Sequence, residues 1–112
     1  MKTRRIAAIA ALAAASLLGT AHAGEAFPAR PVTLVVPWNP GGSVDLTGRK
    51  LSEVLGKSGV NVVVENVPGA SSTIGLTKVA NAAPDGYTVG LATSSLMGVI
   101  AQDMTKLRVD QF

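Results

Sequence analysis

The sequence predicts an α/β fold on a small parallel sheet. Three observations carry this expectation: three short β-branched apolar runs, two intervening stretches with apolar residues at helical spacing, and junctions rich in glycine, proline and hydroxyl residues. Strands separated by helical patterns of about 10–15 residues argue for right-handed parallel crossovers, and so for a β-α-β-α-β order.

Val32-Thr33-Leu34-Val35-Val36 is a nearly continuous apolar run closed by Pro37, as expected of a strand buried on both faces. Pro37-Trp38-Asn39-Pro40-Gly41-Gly42 can propagate neither helix nor sheet, and it delivers the chain to Ser43, a good helix N-cap. The first helix is expected to bury Val44, Leu51, Val54 and Leu55, with Arg49, Lys50, Glu53 and Lys57 off that face and Gly56 and Gly59 bracketing its end. A second strand spans 60–65 and runs into the turn Asn66-Val67-Pro68-Gly69. Ser71 or Ser72 then caps a helix with the stripe Leu76, Val79, Ala80 and Ala83, ended by Pro84-Asp85-Gly86. A third strand follows over 87–93, and Ser94-Ser95 opens a short helix through Ile100. Three strands are fewer than a covered parallel sheet normally carries, so the chain reads as truncated.

The chain has 112 residues, with 10 Lys and Arg against 7 Asp and Glu. Lys2, Arg4 and Arg5 precede a 13-residue apolar run from Ile6 to Leu18, and Ala21-His22-Ala23 follows, which is the pattern of a cleaved secretory signal peptide over residues 1–23. A membrane span needs roughly 20 apolar residues, more than this run supplies. Arg4-Arg5 matches part of a twin-arginine signal, but Ile6-Ala7-Ala8 departs from it, and ordinary export to the periplasm is favoured.

Cleavage leaves 24–112 with 7 cations and 7 anions, so a nucleic-acid partner loses its electrostatic basis. It also removes the only histidine, His22, from a chain without cysteine. Neither a Ser-His-Asp nor a Cys-His pair is then available, nor a usual zinc or copper ligand set. These absences weigh against a secreted α/β enzyme and imply no cofactor.

Both strand-to-helix junctions place free backbone N–H groups at the carboxyl edge of the sheet, where an anion can be held. At the first, Gly41 and Gly42 leave room for a ligand before the amides of Ser43 and Val44; at the second, Gly69 and Ala70 lead to Ser71, Ser72 and Thr73. PWNPGGSVD lacks the P-loop lysine and PGASSTIG is not GxGxxG, so carboxylate is favoured over phosphate. Such loops also need Gly, Pro and Ser simply to turn corners, and either use accounts for these residues. Trp38 reads equally as core or as a cleft wall. Asp45 lies in the first helical turn, where it either complements the helix dipole or receives a ligand's cationic group. Thr93, Ser94 and Ser95 form a third hydroxyl cluster, for capping or for binding.

Together, FPARPVTLVVPWNPGGSVD, VVVENVPGASSTIG and ANAAPDGYTVGLATSS resemble the Bug family, the extracytoplasmic solute receptors of tripartite tricarboxylate transporters. The resemblance implies a three-layer, periplasmic-binding-protein-like lobe with strand order 2-1-3, of which residues 24–112 would be the opening part of the first of two lobes. It implies a receptor rather than an enzyme, with a small organic acid or amino acid as ligand and the transporter's membrane subunits as partners. The ligand carboxylate would be held by backbone amides and bridging waters from the first two loops. By position these are Trp38, Asn39, Pro40, Gly41, Gly42 and Ser43, then Gly69, Ala70, Ser71, Ser72 and Thr73, with Thr93 and Ser94 matching the third loop. Ser71 stands where the family commonly has glycine.

Overall fold

The computed structural model describes residues 26–112, so the expected signal peptide lies outside the described residues. The elements run β1 (Val32–Val36), α1 (Ser43–Lys57), β2 (Val62–Asn66), a 3-10 turn (Ala70–Ser72), α2 (Thr73–Ala80), β3 (Thr88–Gly90), α3 (Ser94–Ala101) and a 3-10 turn at Val109–Gln111. The three strands form one parallel sheet in the order β2-β1-β3, with Leu34 opposite both Val64 and Val89. This is the α/β order that the resemblance implies, with β1 central.

The pleat of β1 assigns the layers. Leu34 and Val36 face α1, which approaches so closely at Gly48 that a Cβ there would lie 2.9 Å from Val36 Cγ2 and 3.3 Å from Leu91 Cδ1. Val35 and its neighbour Gly90 face the other way, toward Leu76 and Val79 of α2. Helices on both faces give the expected three layers. Val35 and Val36 are fully buried, and each such burial contributes about 1.5–3 kcal/mol. Beyond the sheet, Leu76, Leu96, Val99 and Leu107 pack together with Ala80 and Ile100, and so seat α3 and the C-terminal segment against α2.

The inward face of α1 differs from the expected one. Leu51 and Val54 are exposed, as is Leu46, while the stripe turned to the sheet is Asp45, Gly48, Ser52 and Leu55. That stripe has helical spacing but is mostly small or polar, so apolar periodicity selects the neighbouring one. Specific contacts set the rotation: Gly48 permits close approach, Asp45 bonds to Asn66, and the Ser52 hydroxyl donates to the Val62 carbonyl.

Strand ends also move. Val60 is still spent on the helix exit, its N–H donating to Leu55 O, so β2 starts two residues later than expected. β3 covers Thr88–Gly90 rather than 87–93, with one further bond from Leu91 N to Val35 O. The next ladder donor on β1 would be Pro37, which has no N–H, so pairing stops there.

Candidate functional site

Three loops meet at the carboxyl edge of the sheet. The first runs from Pro37 to Gly42. The N-cap of α1 is Gly42 in extended conformation, one residue before the expected Ser43, and no side chain caps the helix. The first intrahelical bond is Leu46 N–H to Gly42 O, which leaves the amides of Ser43 and Val44 ahead of the ladder.

Asp45 turns inward from the cleft. Its side chain is 2% exposed, and its carboxylate accepts from Gly41 N (2.8 Å), Arg49 Nε (2.9 Å) and Asn66 Nδ2 (2.9 Å). These bonds, led by that from Arg49, hold its pKa down to about 2 against the opposing effect of desolvation. With its oxygens engaged inside the fold, Asp45 anchors the loop, a third role beside the two the sequence offers. Arg49 and Asn66 were not singled out by sequence, because a surface arginine and a turn-forming asparagine look ordinary until the fold joins them.

The second loop is conformationally demanding. Gly69, Ala70, Ser71 and Ser72 have φ of 128°, 46°, 52° and 79°, four consecutive positive values of which three belong to non-glycine residues. Ser72 is the N-cap of α2, but its hydroxyl makes no cap bond; Oγ is buried without a partner. The Thr73 hydroxyl bonds back to Ala70 O at 2.8 Å. Behind this loop, Gly75 brings α2 against the ends of β1 and β2, where a Cβ would lie 2.7 Å from Val67 O and 2.8 Å from Pro37 Cβ.

At the third loop Thr93 is the N-cap of α3, again without a side-chain cap, and its Oγ1 lies 2.7 Å from Ser95 Oγ. Between the first and third loops lies a cleft of about 410 Å³ lined by Trp38, Asn39, Gly42, Ser43, Val44 and Thr93. The structure therefore brings together five of the sequence-derived candidates. Pro40, Gly41 and Ser94 stand beside the cleft in the chain without lining it, and neither Asp45 nor the second loop (Gly69, Ala70, Ser71, Ser72 and Thr73) lines it. Val44 does, though sequence reasoning offered only its amide. Trp38 Nε1 is a second buried polar atom without a partner.

The lining carries no ionisable side chain, so its available chemistry is hydrogen bonding from amides and hydroxyls beside an indole. A larger groove of about 470 Å³ lies along β3 and α2 and reaches Phe112, but it is mainly apolar and extends toward the opposite end of the strand. Among the described residues no group of three or more His, Asp or Glu side chains could hold a metal ion. No helix among them is long and apolar enough to cross a membrane.

The model of the tripartite tricarboxylate transporter family receptor matches residues 47–111. The chain belongs to this family. Its members are solute-binding receptors and not enzymes. Among relatives, a UPF0065 protein of Bordetella pertussis is 45% identical over 93 residues, covering 82% of this chain and 28% of that protein. Protein BugT of the same organism is 40% identical over 94 residues, covering 83% and 29% respectively. A crystal structure of a TctC solute-binding protein from Polaromonas superposes with a TM-score of 0.70 at 39% identity, over 72% of this chain and 28% of that one. The periplasmic binding protein BugD gives 0.55 at 49% identity, over 57% and 22%. The chain thus spans little more than a quarter of the length of the receptors it matches.

Proposed function

We propose that this chain is part of an extracytoplasmic receptor that captures a small carboxylated metabolite for a tripartite tricarboxylate transporter. The observation that supports this reading best is the cleft itself, where the open amides at the start of α1 stand beside Trp38 and Thr93 with no charged side chain among the lining residues. Helix-terminal amides stabilise an anion without a counter-cation. Membership of a transporter receptor family supports the delivery role, with the membrane subunits as partners. Periplasmic relatives support the same location for this chain, reached by removal of residues 1–23.

A thermal-shift screen of the exported chain against organic acids, amino acids and their uncharged amides tests the reading. At least one carboxylate is expected to raise the unfolding midpoint while its amide does not. Equal shifts from acid and amide would remove carboxylate recognition. The coverage of little more than a quarter of a receptor favours a second reading, in which this chain presents one wall of a site and holds no ligand alone. A screen silent for every acid supports it.

A further inference from the structure

We infer that Asn66 is the positioning residue of the first loop: its carboxamide ties the Trp38 backbone and Asp45 to the end of β2 and so fixes where the cleft's amides stand. The inference rests on the reading of that cleft as the ligand site, but the observations behind it are independent of any ligand.

The loop between Pro37 and Gly42 contains Pro40, Gly41 and Gly42 and belongs to no sheet ladder. Two hydrogen bonds hold it from outside: Gly41 N–H to Asp45 Oδ2 at 2.8 Å, and Asn66 Nδ2 to Trp38 O at 3.1 Å. Both lead to one cluster, because Asn66 Nδ2 also donates to Asp45 Oδ1 at 2.9 Å. A carboxamide nitrogen has two hydrogens, and here each has its own acceptor. The amide's orientation is chemically determined. Its oxygen accepts from Arg49 Nη2 at 3.3 Å, whereas a flipped amide would set that oxygen against the Asp45 carboxylate.

The residue's place in the fold makes the tie rigid. Asn66 pairs with Val36 at the last rung of the β1–β2 ladder, and the following Val67 N–H donates to Val36 O. Its backbone is therefore fixed by the central strand, and the strained second loop begins three residues later at Gly69. One side chain thus references the first loop to the strand that launches the second. Aspartate would lose both donors and place two carboxylates together, and glutamine would displace the amide by a methylene. A loop fixed in this way does not have to be ordered when a ligand arrives, which lowers the cost of binding.

Amide hydrogen exchange and fluorescence of the 112-residue chain test this without a ligand, since Trp38 is its only tryptophan. In Asn66→Ala, the Gly41 amide is expected to exchange roughly five- to tenfold faster relative to the Leu91 amide, the change that loss of about one hydrogen bond produces. Trp38 emission should shift to the red, while Glu65→Gln on the same strand leaves both signals alone. Parallel acceleration of Gly41 and Leu91, or unchanged Gly41 exchange and Trp38 emission, overturns the inference. Should Asn66→Ala not fold, Asn66→Ser, which keeps a polar group at this half-buried position, is read by the same two signals. A silent acid screen would count against ligand binding by this chain alone and leave this result standing.

Discussion

The hydroxyl of Ser52 donates to the backbone carbonyl of Val62 across 2.6 Å, tying the middle of α1 to the outer strand of the sheet. Val62 pairs with Val32 but turns its carbonyl to the outer side of β2, away from β1, so this carbonyl would otherwise depend on water. Ser52→Ala is expected to cost about 0.5–1.5 kcal/mol, the net worth of one such bond. Urea denaturation measures it directly, and an unchanged midpoint would show that water replaces the hydroxyl without loss.

Gly75 is a sterner case. A Cβ there would meet the Val67 carbonyl at 2.7 Å and Pro37 Cα at 3.0 Å, both backbone atoms of strand ends that cannot swing aside. Gly75→Ala gains about 1 kcal/mol of helix propensity but forces the start of α2 away from the sheet, and overpacking of this kind costs about 1–3 kcal/mol. The net effect is expected to be destabilising. A raised thermal midpoint would mean that α2 can shift without penalty.

Ser71 should behave in the opposite way. It is exposed, with φ 52° and ψ 46°, a left-handed conformation that costs a non-glycine residue about 1–2 kcal/mol. Glycine removes that cost but adds about 0.5–1 kcal/mol of chain entropy to the unfolded state. Ser71→Gly is therefore expected to stabilise by about 0.5–1 kcal/mol, read from the same urea curves. The hydroxyl-rich signature PGASSTIG suggested caps here, yet neither Ser71 nor Ser72 makes one, and backbone conformation rather than side-chain chemistry defines the turn.

Acid should expose the contribution of Asp45. Its carboxyl titrates at about 2 in the fold against an ordinary value of 3.8. A depressed carboxyl stabilises fully above its unfolded value, and that contribution fades as pH falls through the interval down to about 2. In Asp45→Asn the thermal midpoint is expected to be lower at neutral pH and to fall less between these two values than in the unaltered chain. Parallel pH profiles would show that Asp45 does not carry the acid sensitivity.

Gly42→Val probes the cleft. Gly42 has φ −79°, and a Cβ would meet only Asn39 O at 3.7 Å, so a side chain fits the fold but occupies space beside the α1 amides. Unfolding should be little changed, while any carboxylate that shifts the unaltered chain should lose its effect. Retained binding in a folded variant would take the first loop out of the site.

Much of the architecture was legible because it follows from composition along short segments. The β-branched run at Val32–Val36 and the break at Pro37–Gly42 have few alternative conformations, and β1 falls at the expected residues. The α1 face was not legible, because Asp45, Gly48 and Ser52 face the sheet through contacts with residues distant in sequence, whereas Leu51 and Val54 carry the apolar signal outward. In the cleft, Trp38, Gly42, Ser43 and Thr93 could be named from loop chemistry, and Asn39 from the family resemblance. The role of Asn66 could not, since its partners Trp38 and Asp45 lie 28 and 21 residues away.

The uncharged lining of the cleft has a kinetic consequence. With no ionisable group among Trp38, Asn39, Gly42, Ser43, Val44 and Thr93, and with cations and anions equal in number over 24–112, an approaching anion meets no charged side chain in the lining and no net charge over that span to steer it. Helix-terminal dipoles act only within the first turn. The encounter is then governed by diffusion and orientation, and added salt, which screens charges beyond about 10 Å at 0.1 M, has little to screen. On the proposed function, capture of a solute at this cleft is expected to proceed at nearly the same rate in dilute and in saline surroundings.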